Sequence, residues 1–143
     1  MGFQKGKQLD FVYEYDFAVS GGAVSSIDLV NEGMNALESG LVITDIMVAI
    51  ETTLAGTATP TITLGNVGDT DGYMIDFFGA GTAGAILNRG DRAGALVWDD
   101  TNDHPIYYKI DSAANAVPSI TIASQALTAG KFKVYFKAIR PLA

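Results

Sequence analysis

Alternating apolar and polar residues at both ends of the chain predict two long, half-buried β-strands. In the C-terminal stretch, one set of alternate positions is apolar: Phe132, Val134, Phe136 and Ala138. The positions between them are mostly basic: Lys131, Lys133, Tyr135 and Lys137. Near the start, Phe11, Tyr13, Tyr15, Phe17 and Val19 form a matching apolar stripe, with Val12, Glu14, Asp16 and Ala18 opposite. Since successive side chains of a strand point to opposite faces, each strand is predicted to cover a core with one face only.

Shorter apolar segments separated by turn residues predict further strands between these two. The predicted strands are 24–29, 41–53, 61–64, 95–99, 106–111 and 119–123. Residues 73–78 are either a further strand or the start of an irregular excursion. The strongest is Leu41–Thr53, because Ile46–Ile50 within it is apolar on both faces, which predicts cover on both sides. A tight turn is predicted at Ser20-Gly21-Gly22, since glycine supplies the positive φ that hairpin loops need.

Helical structure is predicted only as brief turns. Residues Asn31 to Gly40 could form one helical turn, with Asn31 as its cap and Gly40 as its stop. From Gly79 to Gly94 the chain carries glycine at five positions. Each glycine costs a helix about 1 kcal/mol relative to alanine. This stretch is therefore predicted as a long loop, with a brief helical turn near Ile86.

Together these elements predict an all-β fold. The expected architecture is a single-domain antiparallel β-sandwich or jelly roll of about eight to nine strands, with a small barrel as the other architecture. A length of 143 residues fits one domain. We expect residues 1–10 to form an N-terminal arm and residues 11–143 to form the sandwich domain.

The composition suggests an assembled protein without disulfides. Hydrophobic residues make up 48% of the chain and charged residues only 17%, which predicts that part of the apolar surface is buried against other subunits. With no cysteine there is no disulfide framework and no thiolate metal site, which favours synthesis in a reducing cytoplasm. No apolar run approaches the roughly 18 residues of a membrane span, and the N-terminus lacks the apolar core of a signal peptide.

The net charge of −7 is unevenly distributed. Residues 9–130 hold all 16 acidic residues and carry a net charge of −13, whereas the two ends together carry +6. An acidic body disfavours nonspecific binding to nucleic acid or to anionic lipid. The basic ends could dock on an acidic partner. They could instead pair with the chain's own acids, for instance Glu14 and Asp16, if the two terminal strands are neighbours.

Candidate catalytic and ion-binding residues are few. The one histidine, His104, precedes a proline in a predicted loop, and no nucleophile-elbow motif accompanies it, so a turn role is favoured over catalysis. Two acidic segments, 68–72 and 99–103, space carboxylates closely enough to bend toward a calcium ion. Neither segment has the glutamate of an EF-hand, and both fit solvated turns better. We therefore predict no catalytic, cofactor-binding or metal-binding residue.

Two further patterns resemble binding motifs. Residues 79–84 spell Gly-x-Gly-x-x-Gly, but the βαβ context of a dinucleotide site is missing. Six aromatic residues in the second half of the chain could line a sugar-binding platform, although packing in the core or between subunits is favoured. They are Tyr73, Phe77, Phe78, Trp98, Tyr107 and Tyr108.

Three stretches resemble small virion proteins of tailed bacteriophages, of the capsid decoration or cement type. They are 15–24 with 27–29, then 42–46 with 51–53, and 60–65 leading to 68–73. The likeness covers roughly residues 11–78 and recurs in the character of the C-terminal strand. The resemblance implies a β-sandwich, often trimeric, that sits on an icosahedral shell and ties capsid subunits together. The family has no catalytic residues to carry over.

The leading hypothesis is therefore a non-enzymatic capsid decoration protein of the virion surface, made in the host cytoplasm. Its expected partners are the major capsid protein and further copies of itself, as a homotrimer, and it is not expected to bind nucleic acid or membrane. The arm Met1–Gln8, basic and with Phe3 as its aromatic residue, is a candidate contact element, or else a disordered tail. The alternatives are a head-fibre or tail-fibre receptor- or glycan-binding module and a hydrolase or lyase centred on His104. The binding module would use an aromatic and acidic cleft formed by Trp98, Tyr107, Tyr108 and the 99–103 loop.

Overall fold

The computed structural model describes residues 7–141, and its strands account for most of the elements. They are β1 (Gln8–Asp16), β2 (Ser25–Asp28), β3 (Val30–Asn31), β4 (Val42–Gly56), β5 (Thr61–Asn66), β6 (Asp69–Met74), β7 (Ile86–Asn88), β8 (Trp98–Asp99), β9 (His104–Pro105), β10 (Tyr108–Lys109), β11 (Ser119–Ala123) and β12 (Leu127–Ile139). One helical turn, α1 (Phe17–Ser20), follows β1, and short 3-10 turns occur at Phe78–Ala80 and Ala114–Ala116. The predicted all-β fold is confirmed.

The strands pair as a jelly roll. Sheet 1 has the order β10-β4-β12-β1-β3, with β7 also pairing with β4, and sheet 2 has the order β2-β11-β5-β6. Four antiparallel pairings are nested within one another: β1 with β12, β2 with β11, β4 with β7 and β10, and β5 with β6. This nesting of early with late strands is the double Greek key of the jelly roll.

The core lies between the two sheets and is rich in aromatic rings. Sheet 1 contributes Phe11, Tyr13, Tyr15, Ile46, Val48, Ile50, Phe132, Val134 and Phe136, and sheet 2 contributes Ile62, Leu64, Ile120 and Ile122. Phe136 meets Tyr13 and Tyr73 edge to face, with ring centroids 5.8 and 5.5 Å apart. These inward positions are the alternate apolar positions of the sequence, so the period of two is confirmed.

The first strand ends earlier than its apolar stripe predicts. Asp16 has extended backbone and its carboxylate accepts from the Ala18 amide, which caps the turn of α1. The chain therefore leaves the sheet before Phe17, and Val19 is 77% exposed. At the other end, β1 begins at Gln8, inside the predicted arm of residues 1–10. The division of the chain at residue 10 stays a prediction.

Two other predictions of local structure are wrong. The segment 31–40 forms no helical turn: it starts in β3 and continues in bends, with Leu37 buried under Tyr13, whose hydroxyl accepts from the Leu37 amide. The helical turn expected near Ile86 is strand β7, and the brief helical structure lies at Phe78–Ala80 instead. Of the two possibilities for residues 73–78, the irregular excursion is the better one, because β6 ends at Met74 and residues 75–77 have no regular structure.

Cover over the central strand is one-sided. Ile46, Val48 and Ile50 are buried between the sheets, as expected. Met47 and Ala49 point to the other face and are only half-buried. The prediction of cover on both sides of this strand is therefore met on the inner face only, and an apolar outer face remains.

Candidate binding cleft and outer face

A cleft of about 430 Å³ opens where the long excursion between β6 and β10 folds back against the edge of sheet 2. Its lining combines four carboxylates, one guanidinium, one indole and small or apolar side chains. The lining residues are Asp71, Ile75, Gly90, Asp91, Arg92, Ala93, Ala95, Trp98, Asp100 and Asp103. We call this set the cleft. It brings together the two acidic segments that the sequence singles out, since Asp71 comes from one and Asp100 and Asp103 from the other.

The excursion is tied to β6 by backbone hydrogen bonds. The Ile75 amide donates to the Arg92 carbonyl (2.8 Å), and the Leu96 amide donates to the Gly72 carbonyl (2.9 Å). Between these bonds Gly94 lies so close to β6 that a Cβ there would be 2.2 Å from the Asp71 carbonyl oxygen. Only glycine permits this approach, and the wall of the cleft depends on it.

The opposite wall is the short hairpin of β8 and β9. The Asp99 carboxylate accepts from the Thr101 amide (2.9 Å) and from the side-chain amide of Asn102 (2.9 Å), which stabilises the hairpin turn. The Asn102 bonds lower the pKa of Asp99. Asp103 has φ of +53°, a left-handed conformation that Asp tolerates better than most residues. Asp99 is thus used by the turn, whereas Asp100 and Asp103 line the cleft.

Trp98 presents its ring next to a glycine. A Cβ at Gly90 would lie 3.2 Å from Cζ3 and 3.3 Å from Cη2 of Trp98. Glycine therefore keeps a side chain away from the six-membered part of the indole. Trp98 is only partly buried and belongs to the cleft lining.

The charges of the cleft are not paired with one another. Within residues 7–141, no ion pair of 4.0 Å or less involves Arg92 or any of the four lining aspartates. The Arg92 guanidinium donates instead to the Asp76 carbonyl (3.2 Å). Asp91 accepts from the Asn88 amide (2.7 Å), and Asp71 shares a hydrogen bond with Asp69. For the carboxylates of Asp100 and Asp103, no hydrogen bond or ion pair occurs among residues 7–141. The cleft therefore offers both hydrogen-bond acceptors and donors to a ligand.

The first acidic segment is a strand rather than the predicted solvated turn. Asn66 makes the hairpin turn by accepting from the Gly68 and Asp69 amides (2.9 and 3.0 Å), and Asp69 and Asp71 then belong to β6. Partial burial raises the pKa of Asp69, as do a hydrogen bond to Asp71 and its charge. Within the described part of the chain, no three His, Cys, Asp or Glu side chains lie close enough together to hold a metal ion.

His104 and the glycine-rich motif occupy other places in the fold. His104 lies on an exposed hairpin, with Nε2 3.6 Å from the Asp99 carboxylate and Nδ1 3.0 Å from the Pro105 carbonyl, and neither contact is a nucleophile. The motif at 79–84 packs along β4. There the Leu54 amide donates to the Gly81 carbonyl (2.8 Å), and a Cβ at Gly81 would collide with the Leu54 side chain. Its glycines permit close packing.

The six aromatic residues separate into three environments. Tyr73 and Phe77 are core residues, and Phe78 and Tyr108 pack against the core. Tyr107 is 66% exposed, with the Arg89 guanidinium 5.8 Å from its ring centroid. Only Trp98 lines the cleft, so Tyr107 and Tyr108 do not join it in the aromatic cleft that the receptor-binding alternative requires.

The outer face of sheet 1 carries a row of paired charges. Lys131 lies 4.0 Å from Asp16 and 3.7 Å from Glu51, and Lys133 lies 3.7 Å from Glu51. We call these four residues the charge row. Strands β1 and β12 are neighbours that place Asp16 opposite Lys131 and Glu14 opposite Lys133. The alternative in which the basic end pairs with the chain's own acids is confirmed for Asp16, whereas Glu14 forms no ion pair of 4.0 Å or less among residues 7–141. Arg140 likewise pairs with Glu38.

Beside the charge row lies an apolar area that spans four strands. The register aligns Val12 with Tyr135 and Tyr135 with Met47, and it aligns Ala49 with Ile86. We call these five residues the outer patch. All five are exposed or half-buried, so the patch is an apolar surface with charged neighbours, like the centre and rim of a protein interface.

Sequence reasoning missed several residues of the cleft, chief among them Arg92, Asp91 and Ile75. The signal for Arg92 and Asp91 was a short charged run, 89–92, inside a glycine-rich stretch. That run predicts an exposed turn but not the strand edge on which it folds. The meeting of Asp71 with Asp100 depends on tertiary structure alone.

Comparison with known proteins establishes the fold. No protein-family model matches the chain, and no curated protein matches its sequence. Among solved structures, the chain is similar to a chain of the cyanophage Pam1 capsid asymmetric unit, with a TM-score of 0.61 and 19% sequence identity. The similarity covers 99% of this chain and 89% of that chain. Among residues 7–141, no helix has the length and apolar character needed to cross a membrane.

Proposed function

We propose that the protein is a bacteriophage virion structural protein that decorates the outer surface of the head and stabilises the shell by bridging major capsid subunits. It acts without enzymatic activity and assembles as a homotrimer, after synthesis in the host cytoplasm. The observation that carries this proposal is the similarity of the whole jelly roll to a chain of a phage capsid asymmetric unit. The resemblance of residues 11–78 to decoration proteins supports the same role.

The outer patch supplies a contact surface for this role. It combines Tyr135, Met47 and Ile86 with smaller apolar side chains, and it is bordered by the charge row. Aromatic residues and methionine are enriched in the centres of protein interfaces, where water is excluded. The charge row already neutralises itself, so the patch can be covered by a partner without leaving an unpaired lysine.

Stabilisation of the shell follows from mass action. A protein that binds only the assembled shell stabilises it by RT ln(1 + [L]/Kd). Several copies held in one trimer add avidity, because the second and third contacts become intramolecular. The arm Met1–Gln8 stays a proposed additional contact, and its residues 1–6 lie outside the described structure.

The test mixes the purified protein with heads that lack it. We expect saturable, stoichiometric occupancy and a higher temperature of head disruption. Tyr135→Ala should weaken occupancy, whereas the control Val67→Ala removes an apolar side chain that is 71% exposed elsewhere and should leave occupancy unchanged. Light scattering on the free protein measures whether it is a trimer. Failure of the protein to bind any head preparation would overturn the proposal.

A second candidate is a head-fibre or tail-fibre module that binds a receptor or glycan. The cleft favours it, because Trp98 lines it together with aspartates and an arginine that form no ion pair among residues 7–141. Immunogold labelling of virions separates the two candidates, since a decoration protein labels the whole shell and a fibre module labels the appendages only.

A further inference from the structure

The cleft has the chemistry of a site for a polyhydroxylated ligand. The carboxylates of Asp71, Asp100 and Asp103 accept hydrogen bonds, the guanidinium of Arg92 donates them, and Trp98 offers an aromatic surface. We propose that the cleft binds a neutral saccharide, whose C–H face packs on the indole and whose hydroxyl groups donate to the aspartates and accept from Arg92. This inference rests on the second candidate function and names its ligand class, and the site is independent of shell binding.

The arrangement of charges selects this ligand over an ion. No three carboxylates among the described residues converge on a point that could hold a metal ion. The lining holds these carboxylates together with the guanidinium of Arg92. A hard cation needs six to eight oxygens at short range, and a guanidinium beside it would repel it. Hydroxyl groups both donate and accept, so a saccharide uses both kinds of group at once.

The size and rigidity of the cleft agree with this proposal. Its volume of about 430 Å³ lies within the range of small-molecule sites, about 300–1,000 Å³. One wall is fixed to β6 by the Ile75 and Leu96 amides, and the other is stabilised by the bonds of Asp99. The site is therefore largely formed before a ligand arrives, which lowers the entropic cost of binding.

Gly90 and Trp98 provide the stacking surface. A Cβ at Gly90 would come within 3.2 Å of the indole ring. Alanine at this position would crowd the six-membered ring and hinder the packing of a sugar against it. Gly90 thus contributes to binding because its lack of a side chain leaves space for a sugar against the indole ring.

The test screens the purified full-length protein on an array of neutral glucose-, galactose- and mannose-based oligosaccharides. Sialylated glycans and a lysine-rich peptide on the same array control for charge. Calorimetry with the best neutral glycan then compares variants. We expect Trp98→Ala and Arg92→Gln each to weaken binding roughly tenfold or more, Gly90→Ala to weaken it less, and Trp98→Phe to retain part of it. The control Tyr107→Ala removes an exposed aromatic residue outside the cleft and should bind like the parent.

Every result of these binding measurements either supports or overturns the saccharide proposal. If Trp98→Ala does not fold, the exposed substitutions Arg92→Gln and Asp100→Asn decide. Absence of binding to every neutral glycan overturns the proposal, as does binding that none of the cleft variants weakens. Binding of the lysine-rich peptide alone would also overturn it, because the cleft would then be an acidic surface for a cationic partner. Head occupancy by Trp98→Ala should equal that of the parent, so failure of this site is distinguishable from failure of the decoration role.

Discussion

The outer face of sheet 1 and the cleft both carry several charges, yet only the outer face pairs them. In the charge row, Lys131 and Lys133 share Glu51 at 3.7 Å each. In the cleft, four aspartates and Arg92 stand without an ion pair among the described residues. The charge row serves the fold. In the cleft, the carboxylates of Asp100 and Asp103 make no hydrogen bond or ion pair among residues 7–141 and are available to a ligand.

Strand register explains the difference. Antiparallel pairing of β1 with β12 places Asp16 across from Lys131. In β4, Glu51 lies at the register shift between Lys131 and Phe132 and reaches both Lys131 and Lys133, so these pairs form as the sheet forms. The cleft is built from a hairpin, a strand edge and a glycine-rich excursion, which no common ladder aligns. The aspartates and Arg92 of the cleft therefore form no ion pairs with one another. This is consistent with a binding site, because binding residues concentrate on loops held by a rigid scaffold.

The largest expected effect comes from a substitution that displaces the wall of the cleft and does not act on the outer face. Gly94→Ala places a Cβ 2.2 Å from the Asp71 carbonyl oxygen, so the excursion must move away from β6. We expect a loss of about 2–3 kcal/mol in the free energy of unfolding and a changed fluorescence spectrum of Trp98, the one tryptophan of the chain. Denaturant unfolding followed by both fluorescence and far-UV circular dichroism measures this.

The matched control is Gly79→Ala. A Cβ at Gly79 would meet no atom within 4 Å, and its φ is not in the left-handed range. Its stability should therefore change by less than about 0.5 kcal/mol. Equal losses for the two variants would show that the approach of Gly94 to β6 does not hold the cleft together.

The sequence predicted the outer face much better than the cleft. Alternation in residues 131–140 specified which side chains face the core, and the same alternation placed the lysines on the face of Glu14 and Asp16. Periodicity is a local property, so it can be read from one strand at a time. The charge pairing required one further assumption, that the terminal strands are neighbours, and the jelly roll satisfies it.

The cleft could not be predicted from the sequence, for a different reason. Asp71 and Asp100 are far apart in sequence, and their meeting depends on how Gly94 docks on β6. The short strands β8, β9 and β10 have only two residues each, because the excursion follows turn hydrogen bonds rather than a long ladder. Apolar runs such as 95–99 therefore predicted longer strands than the structure contains. Trp98 and the 99–103 loop were correctly predicted as neighbours, since adjacency in sequence made them so.

A second test concerns the strand that carries one side of the charge row. Tyr15 in β1 is buried and its hydroxyl donates to the Gly21 carbonyl (2.7 Å). Tyr15→Phe removes this bond and should cost about 1 kcal/mol of stability at pH 7. Glycan binding and Trp98 fluorescence should not change, because the cleft lies at a different edge of the sandwich. Denaturant unfolding and fluorescence together measure both effects.

The same tyrosine gives a prediction at alkaline pH. Burial raises the pKa of Tyr15 to about 12 from its ordinary value of 10.0. Between these values the folded protein keeps a proton that the unfolded chain has lost, so the free energy of unfolding falls as the pH rises from 10 toward 12. Burial also raises the pKa of Tyr13, so Tyr15→Phe should make this fall shallower without abolishing it. An unchanged slope would contradict the assignment.

A smaller effect tests the charge row directly. Glu51→Gln removes the carboxylate that Lys131 and Lys133 share. Because these side chains are partly exposed, we expect a loss of only about 0.3–1 kcal/mol, and most of it should disappear in 1 M salt. The control Asp28→Asn neutralises an exposed acid on sheet 2 for which no ion pair occurs among residues 7–141. An equal loss in the control would mean that general charge, rather than the row, sets stability.

The smallest expected effect comes from the same kind of change made in the cleft. Asp100→Asn neutralises an exposed carboxylate that shares the lining with three others and with one guanidinium. Since no ion pair is lost, stability should stay within about 0.5 kcal/mol of the parent, with any change a gain that salt removes. Thermal unfolding at low and high ionic strength measures both. A loss as large as that of Glu51→Gln would mean that the cleft uses its charges for folding, as the charge row does, and the contrast between the two regions would fail.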